Sequence, residues 1–304
     1  MIEVLDEPAW RLRAEEHAER VAPWIEPHLE RRRRGARHPV EDFLFDYYAW
    51  RPGQLLRWHP GAGVHLMGNV SDWGRVSGYV VEDGHAYADA ASVEEGLVSR
   101  TLVLLEATAA RQPVLGCFGR HEWAMVYRLK PEEVRHSSWP LRLPPDEIAD
   151  VVETGGLRCT HFDAFRFFTD EARPLNAHRP TRATQIALEQ PGCLHATMDL
   201  YKWAFRCYPV VSAELTADCF ALARSAREVD MRAAPYDLRD LGYEPIRIET
   251  AEGRTEYLRE QRQLMASAAA LRTRLIDALR LSLSERESPE QCSAGARDSL
   301  PTPR

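Results

Sequence analysis

No stretch of this chain comes near the roughly 18 uninterrupted apolar residues that a membrane-crossing helix needs, so no membrane partner is expected. The opening, MIEVLDEPAW, has neither the basic start nor the apolar core of a secretory leader. The six cysteines, at 117, 159, 193, 207, 219 and 292, form no C-x-x-C pair. Without a leader or a paired-cysteine framework, a cytoplasmic protein with reduced thiols is expected. Positive charge is not in excess either. The formal net charge is −7, which argues against nucleic acid as a bulk partner, because phosphate affinity comes from clustered Lys and Arg. Also missing are a GxGxxG turn, a Walker loop, a GxSxG elbow and an HExxH pair, which removes most nucleotide-binding and common hydrolase readings.

What is present is enough apolar material for a sizeable core, 44% of 304 residues. The spacing of Trp10, Leu12, Val21, Trp24, Ile25 and Leu29 predicts an amphipathic helix over 8–34, broken or bent at Pro23 and Pro27. Its Arg31 to Arg34 run reads as a solvated helix end or as an anion site. His38-Pro39-Val40-Glu41-Asp42 reads as a helix start leading into the aromatic FLFDYYAW. Further helices are expected from about Ser92 to Arg111, from Arg120 after Gly119, and from about Glu252 to Leu283. Between 58 and 91 the Gly-rich sequence predicts an irregular insertion, with a small hairpin at Glu82-Asp83-Gly84. Pro140, Pro144 and Pro145 exclude long regular structure from the connector that holds them. The tail over 284–304 lacks apolar anchors and is expected to be disordered, which takes Cys292 out of any site. The fold expected is mainly α, a single all-helical domain over 1–283 with the Gly/Pro-rich insertion at 58–91.

The chain is organised around Thr181 to Asp230, which reads as two helices broken at Tyr208-Pro209 with His195, Asp199 and Asp218 on their apolar faces. A buried carboxylate is costly unless it is paired, hydrogen-bonded or metal-bound. Residues four apart on a helix have Cβ atoms about 5–6 Å apart, so His195 and Asp199 can meet at one metal ion or one proton. Similar residues recur: Glu106 on the helix before, His121 and Glu122 on the next, and His161 and Asp163 in HFDAFRFF. The imidazoles of His121, His161 and His195 with the carboxylates of Glu106, Glu122, Asp163, Asp199 and Asp218 are the donor types of an iron or manganese site inside a bundle. No more than about six of them can be direct ligands of two metals. A buried polar network accounts for the same residues equally well. Two Glu-x-x-His pairs, Glu82/His85 and Glu133/His136, fall in or beside connectors and read as loop charges. Cys159-x-His161 and Cys193-x-His195 offer zinc-type donors at a spacing tighter than structural zinc sites use. Arg158, Arg166, Arg182, Arg227 and Arg232 either clamp a substrate carboxylate or neutralise the acids. Arg166, Arg182, Arg232 and Tyr201 are the candidates for substrate contact. Glu228-Val-Asp230-Met-Arg232 reads either as part of the site or as a salt-bridge cluster at a helix end.

The motifs HPVEDFLFDYY, GCFGRHEWAMVYR, HFDAFRFF, LEQPGCLHATMDLYKW and DCFALARSAREVDMRAAPYD resemble an actinobacterial family commonly labelled 3-methyladenine DNA glycosylase, over about residues 8 to 280. That resemblance implies base excision, with a carboxylate such as Asp199 or Asp218 stabilising an oxocarbenium-like sugar while an aromatic pocket holds a flipped base. The helix-hairpin-helix LPGVG-type turn of such enzymes is not found. The helical layout and donor types are also similar to the haem-oxygenase-like dimetal oxidases. This second resemblance implies a haem-oxygenase-like multi-helix bundle, two irons (or manganese) with O2 as co-substrate, and a reductase or other electron donor. Its implied reaction is C–H cleavage, as desaturation, hydroxylation or cyclisation, on a small, amino-acid-like substrate. His195-x-x-x-Asp199 stands where that superfamily has Asp-x-x-x-His. The geometric condition for a metal site is that His195, Asp199 and Asp218 converge with His121 and His161.

Overall fold

Eleven α-helices and one four-stranded sheet make up residues 2–130, 133–134 and 139–287, the part of the chain that the computed structural model describes. The fold is mainly α. Residues 288–304, with Cys292, lie outside the described residues, as does His136 of the Glu133/His136 pair, while 284–287 belong to the last helix. No helix among the described residues is long and apolar enough to cross a membrane.

The first helix, α1 (Glu7–Arg33), is capped by Asp6, whose carboxylate accepts the amide of Ala9 at 3.0 Å. It buries Trp10, His17, Val21, Ile25 and His28 along one stripe. Pro23 and Pro27, where the sequence allows a break or a bend, do not break it. Both lie four apart on the exposed face, so the carbonyls that lose an amide partner face water. The Arg run at its end is not wholly solvated. Arg31 turns in to Asp42, with Nη2 to Oδ1 at 2.6 Å, and Asp42 also meets His28 Nδ1 at 2.9 Å and the His38 amide at 2.8 Å. This buried knot fixes the start of α2 (Phe43–Tyr47).

Residues 58–91 are more regular than their glycines suggest. Strand β1 (Glu3–Leu5) runs parallel to β2 (Val64–Met67), and β3 (Tyr79–Glu82) and β4 (His85–Ala88) complete the order β1-β2-β4-β3. Each strand has at most four residues, too few for the alternation to be read against a Gly-rich background. The expected hairpin is there, turned by Asp83 and Gly84, both with positive φ. Leu5, Trp10, Trp58, Leu66, Trp73 and Tyr79 give the sheet its own small core against α1.

After α3 (Pro52–Leu56) and α4 (Glu95–Ala109), the short α5 (Arg120–Ala124) starts at Gly119, whose φ of +70° no β-carbon would favour. The proline-rich connector holds one more helix than expected, α6 (Pro145–Gly155), because Pro145 sits in the first turn, where its missing amide has no partner to lose. Then come α7 (Phe162–Phe165), α8 (Gln185–Leu188), α9 (Leu194–Arg206) and α10 (Ala213–Ala233), the last two parted at Tyr208-Pro209 as the sequence predicts. The long α11 (Ala251–Glu287) packs on α4, α9 and α10 over one helical core containing Met198, Leu200, Phe220 and Leu275.

Asp42 is held below its ordinary pKa: burial opposes this, but Arg31, His28 and the His38 amide outweigh it. The stabilisation is therefore present above the ordinary value of 3.8 and lost as pH falls through the lower folded value. Asp42→Asn is expected to cost about 3–5 kcal/mol at pH 7, since it strands buried donors. Urea unfolding of both proteins should show the gap closing as the pH is taken below 3.8.

Candidate metal centre

Four segments meet behind α2. Gly119 delivers His121 on α5, and Trp123 Nε1 donates to the Ala233 carbonyl at 2.8 Å, pinning α5 to the end of α10. Asn176 brackets Cys159, accepting its amide at 2.7 Å and donating to its carbonyl at 2.9 Å, which places His161 just before α7. His195, Asp199 and Lys202 follow one another along α9, and Arg227 and Asp230 lie three apart on α10.

His121 Nε2 stands 2.7 Å from Asp230 Oδ1, and its Nδ1 lies 3.6 Å from the Cys117 thiol. Burial alone would depress the imidazole, yet Asp230 and Cys117 hold it well above its ordinary value. Asp230 is withdrawn from water, and against that cost His121 and Arg227 keep it below the usual carboxylate range. Arg227 Nη1 donates to Asp230 Oδ2 at 3.1 Å and to Glu122 Oε1 at 2.9 Å. The ring of His195 sits 4.4 Å from that of His121, edge to face, and 5.3 Å from that of His161. Burial and the neighbouring His121 push His195 well below its ordinary pKa, so it is a neutral imidazole. His121, His195 and Asp230 each offer a ligand atom within 4.8 Å of the others.

A second group adjoins the first. His161 Nε2 lies 3.4 Å from Asp199 Oδ2 and 3.8 Å from Glu189 Oε2, and both its ring nitrogens are buried without a hydrogen bond. Asp199 accepts from Tyr48 Oη at 2.8 Å and Lys202 Nζ at 2.7 Å. Burial would raise this carboxyl, but Lys202 and His161 hold it low. Glu189 has weaker support, a bond from Gln185 Nε2 at 2.9 Å, and burial raises it. A cavity of about 610 Å³ opens onto His195, walled by Phe43, Tyr47, Trp139 and Phe167 and edged by Arg37 and Asp46.

The structure thus brings together His121, His161, His195 and Asp199 but not Asp218, so the convergence expected from sequence is met only in part; Glu122 and Asp163 line the cavity beside them. Glu122 is taken by Arg227, and Asp163 by Tyr47 (2.6 Å) and Arg166 (2.6 Å). Two predicted ligands lie elsewhere. Glu106 pairs with Arg280 at 2.6 Å, and Asp218 pairs with Arg20 and Arg274 at 2.7 and 2.6 Å, because both turn toward α-helical neighbours rather than the centre. Of the predicted substrate contacts, Arg166 reaches the cavity only through Asp163. Exposed Arg182 lies over Phe162, Tyr201 is packed in the aromatic core, and Arg232 binds the Glu244 carbonyl and Glu256. Asp230, left open between two readings, is central. Glu189 and Cys117 were missed; the four-residue spacing of Cys117 and His121 was the available signal for the second. The free thiols of Cys159 and Cys193 do not join the histidine-carboxylate cluster.

Compared with known proteins, the chain matches no family model, no curated protein and no solved structure.

Arg227→Met would leave Glu122 and Asp230 buried without their shared guanidinium, and is expected to cost about 3–5 kcal/mol. Arg280→Met, which breaks only the exposed pair with Glu106, should cost less than about 1 kcal/mol. Chemical denaturation of the two variants side by side checks the difference.

Proposed function

We propose that this protein is a non-haem iron oxidase or oxygenase acting on a C–H bond of a small, amino-acid-like substrate. The observation that carries the reading is the convergence of His121, His195 and Asp230, of which His195 lines a cavity, a two-histidine, one-carboxylate donor set of the kind that binds ferrous iron or manganese. His161, Asp199 and Glu189 supply the same donor types for a second ion beside it, and the unpartnered nitrogens of His161 fit such an ion. Bound iron supplies the activation of dioxygen and the removal of hydrogen from carbon, with electrons from a reductase or other donor.

The chain's own groups prepare that chemistry. Arg227 fixes one oxygen of Asp230 and leaves the other facing His121. His195 presents a neutral ring, as a metal ligand must. The proton held between His121 Nε2 and Asp230 stands where a cation would, so metal uptake releases it. Tyr48 and Lys202 orient Asp199. Arg37 and Asp46 line the cavity and make no ion pair among the described residues, so they suit the carboxylate and ammonium of a zwitterion. The aromatic wall keeps water from the reacting carbon.

Base excision has one feature in its favour, the same aromatic wall, of a kind that can hold a flipped base. Its carboxylate is less well provided: Asp199 is tied to Tyr48 and Lys202, and Asp218 lies away from the cavity between two arginines. Release of an alkylated base from duplex DNA by metal-free protein would favour it.

Anaerobic titration with ferrous iron is expected to reach one or two equivalents, with affinity rising with pH because a proton leaves. His195→Ala and Asp230→Ala should weaken uptake at least about tenfold. Glu106→Gln and Asp218→Asn should leave it unchanged. A protein that takes up neither iron nor manganese stoichiometrically is not an oxidase of this kind.

A further inference from the structure

The two ends of α9 face different cavities. Beyond its C-terminal end lies a second one, of about 450 Å³, lined by Trp50, Arg57, His59, Phe205, Arg206 and Tyr208 among others. We propose that it binds a flat organic anion, an aromatic ring carrying a phosphate or carboxylate group, at a site separate from the metal centre and independent of its chemistry.

Four observations support this. The first is charge: no Asp or Glu lines the cavity although the chain as a whole is acidic. Arg57 and Arg206 both line it and neither has an acidic partner among the described residues; Arg206 lies only over the Trp203 ring. Guanidinium groups free of carboxylates are the ordinary receptor for an oxyanion. The second is an orphaned buried group. His59 is 5% exposed, its Nδ1 has no hydrogen-bond partner, and its ring is wedged edge-on against Tyr208 with centroids 4.7 Å apart. Burial, with His17 and Arg57 nearby, holds this histidine neutral, so its ring lines the cavity without adding charge.

The third is the apolar wall. Trp50 stacks on Phe205 at 4.2 Å with their planes 14° apart, and Tyr208 is held by its hydroxyl, which donates to the Ser77 carbonyl at 2.8 Å. A rigid aromatic wall next to cations selects a planar ring over a flexible chain. The fourth is polar capacity at the rim: Ser77, Gln54 and Thr216 complete the lining, and the Gln54 amide nitrogen has no partner among the described residues. An oxyanion at the arginines with a ring against Phe205 and Tyr208 uses all of these groups at once. A bare inorganic anion would leave the wall and His59 idle.

Calorimetric titration of the full chain tests the assignment. Adenosine 5′-monophosphate and indole-3-acetate are the probes, one for each anionic group, and adenosine and inorganic phosphate are the half-probes. At least one whole probe should bind, at least tenfold more tightly than either half-probe. Which one binds tells phosphate from carboxylate. Arg57→Gln/Arg206→Gln should weaken that probe tenfold or more, whereas Arg37→Gln, at the other cavity, should not change it. If neither probe binds, or if the double variant binds as well as the parent, the proposal is overturned. Iron uptake by the double variant should match the parent, so failure here is distinguishable from failure of the metal reading.

Discussion

The withdrawal of the Asp230 carboxylate from water is the constraint on which the centre of this molecule depends. A lone carboxylate there would cost several kcal/mol, and no single neighbour repays that. The repayment is shared: one oxygen faces the His121 imidazole and the other takes Arg227. Arg227 is itself buried and stacked over the Phe43 ring, 3.8 Å from its centroid, so it too needs its acids, and Glu122 is the second. Acid, imidazole and guanidinium are therefore buried together or not at all. The helices that carry them, α5 and α10, are locked in register by electrostatics as well as by packing.

The neighbouring group is built differently. Asp199 has ample partners in Lys202 and Tyr48, whereas both ring nitrogens of His161 are buried without a hydrogen bond. One half of the centre is balanced by fixed protein charge, and the other half is left with unused lone pairs. Satisfied groups are the rule inside proteins, and the His161 nitrogens depart from it.

The long helices were legible because their apolar spacing is that of a buried stripe, and His195 and Asp199 stood out as polar residues on one, while His121 and His161 stood out only as histidines among aromatic and apolar neighbours. Position around a helix was harder to read. Glu106 shares a face with Leu102, but the buried stripe of α4 runs through Val98, Thr101, Leu105 and Thr108, one residue away, and Glu106 turns outward with the offset. Asp218 lies between buried Ala217 and Cys219, yet at 100° per residue it emerges beside Arg20 and Arg274. Glu189 follows a helix of only four residues, where no periodicity exists to mark an inward face. The strands escaped notice for the same reason of length, and Pro23 and Pro27 misled because their exposure, which makes them harmless, is a tertiary property.

Helix α9 carries His195 in its first turn and Arg206 at its last residue, so the floor of one cavity and the rim of the other are ends of a single rod. At 1.5 Å per residue the two are roughly 16 Å apart. Its middle is clamped by Tyr201 and Ala204 in the helical core, which holds the two cavities at that separation. One length of helix thus sets the spacing of the two cavities, and no side chain lines both.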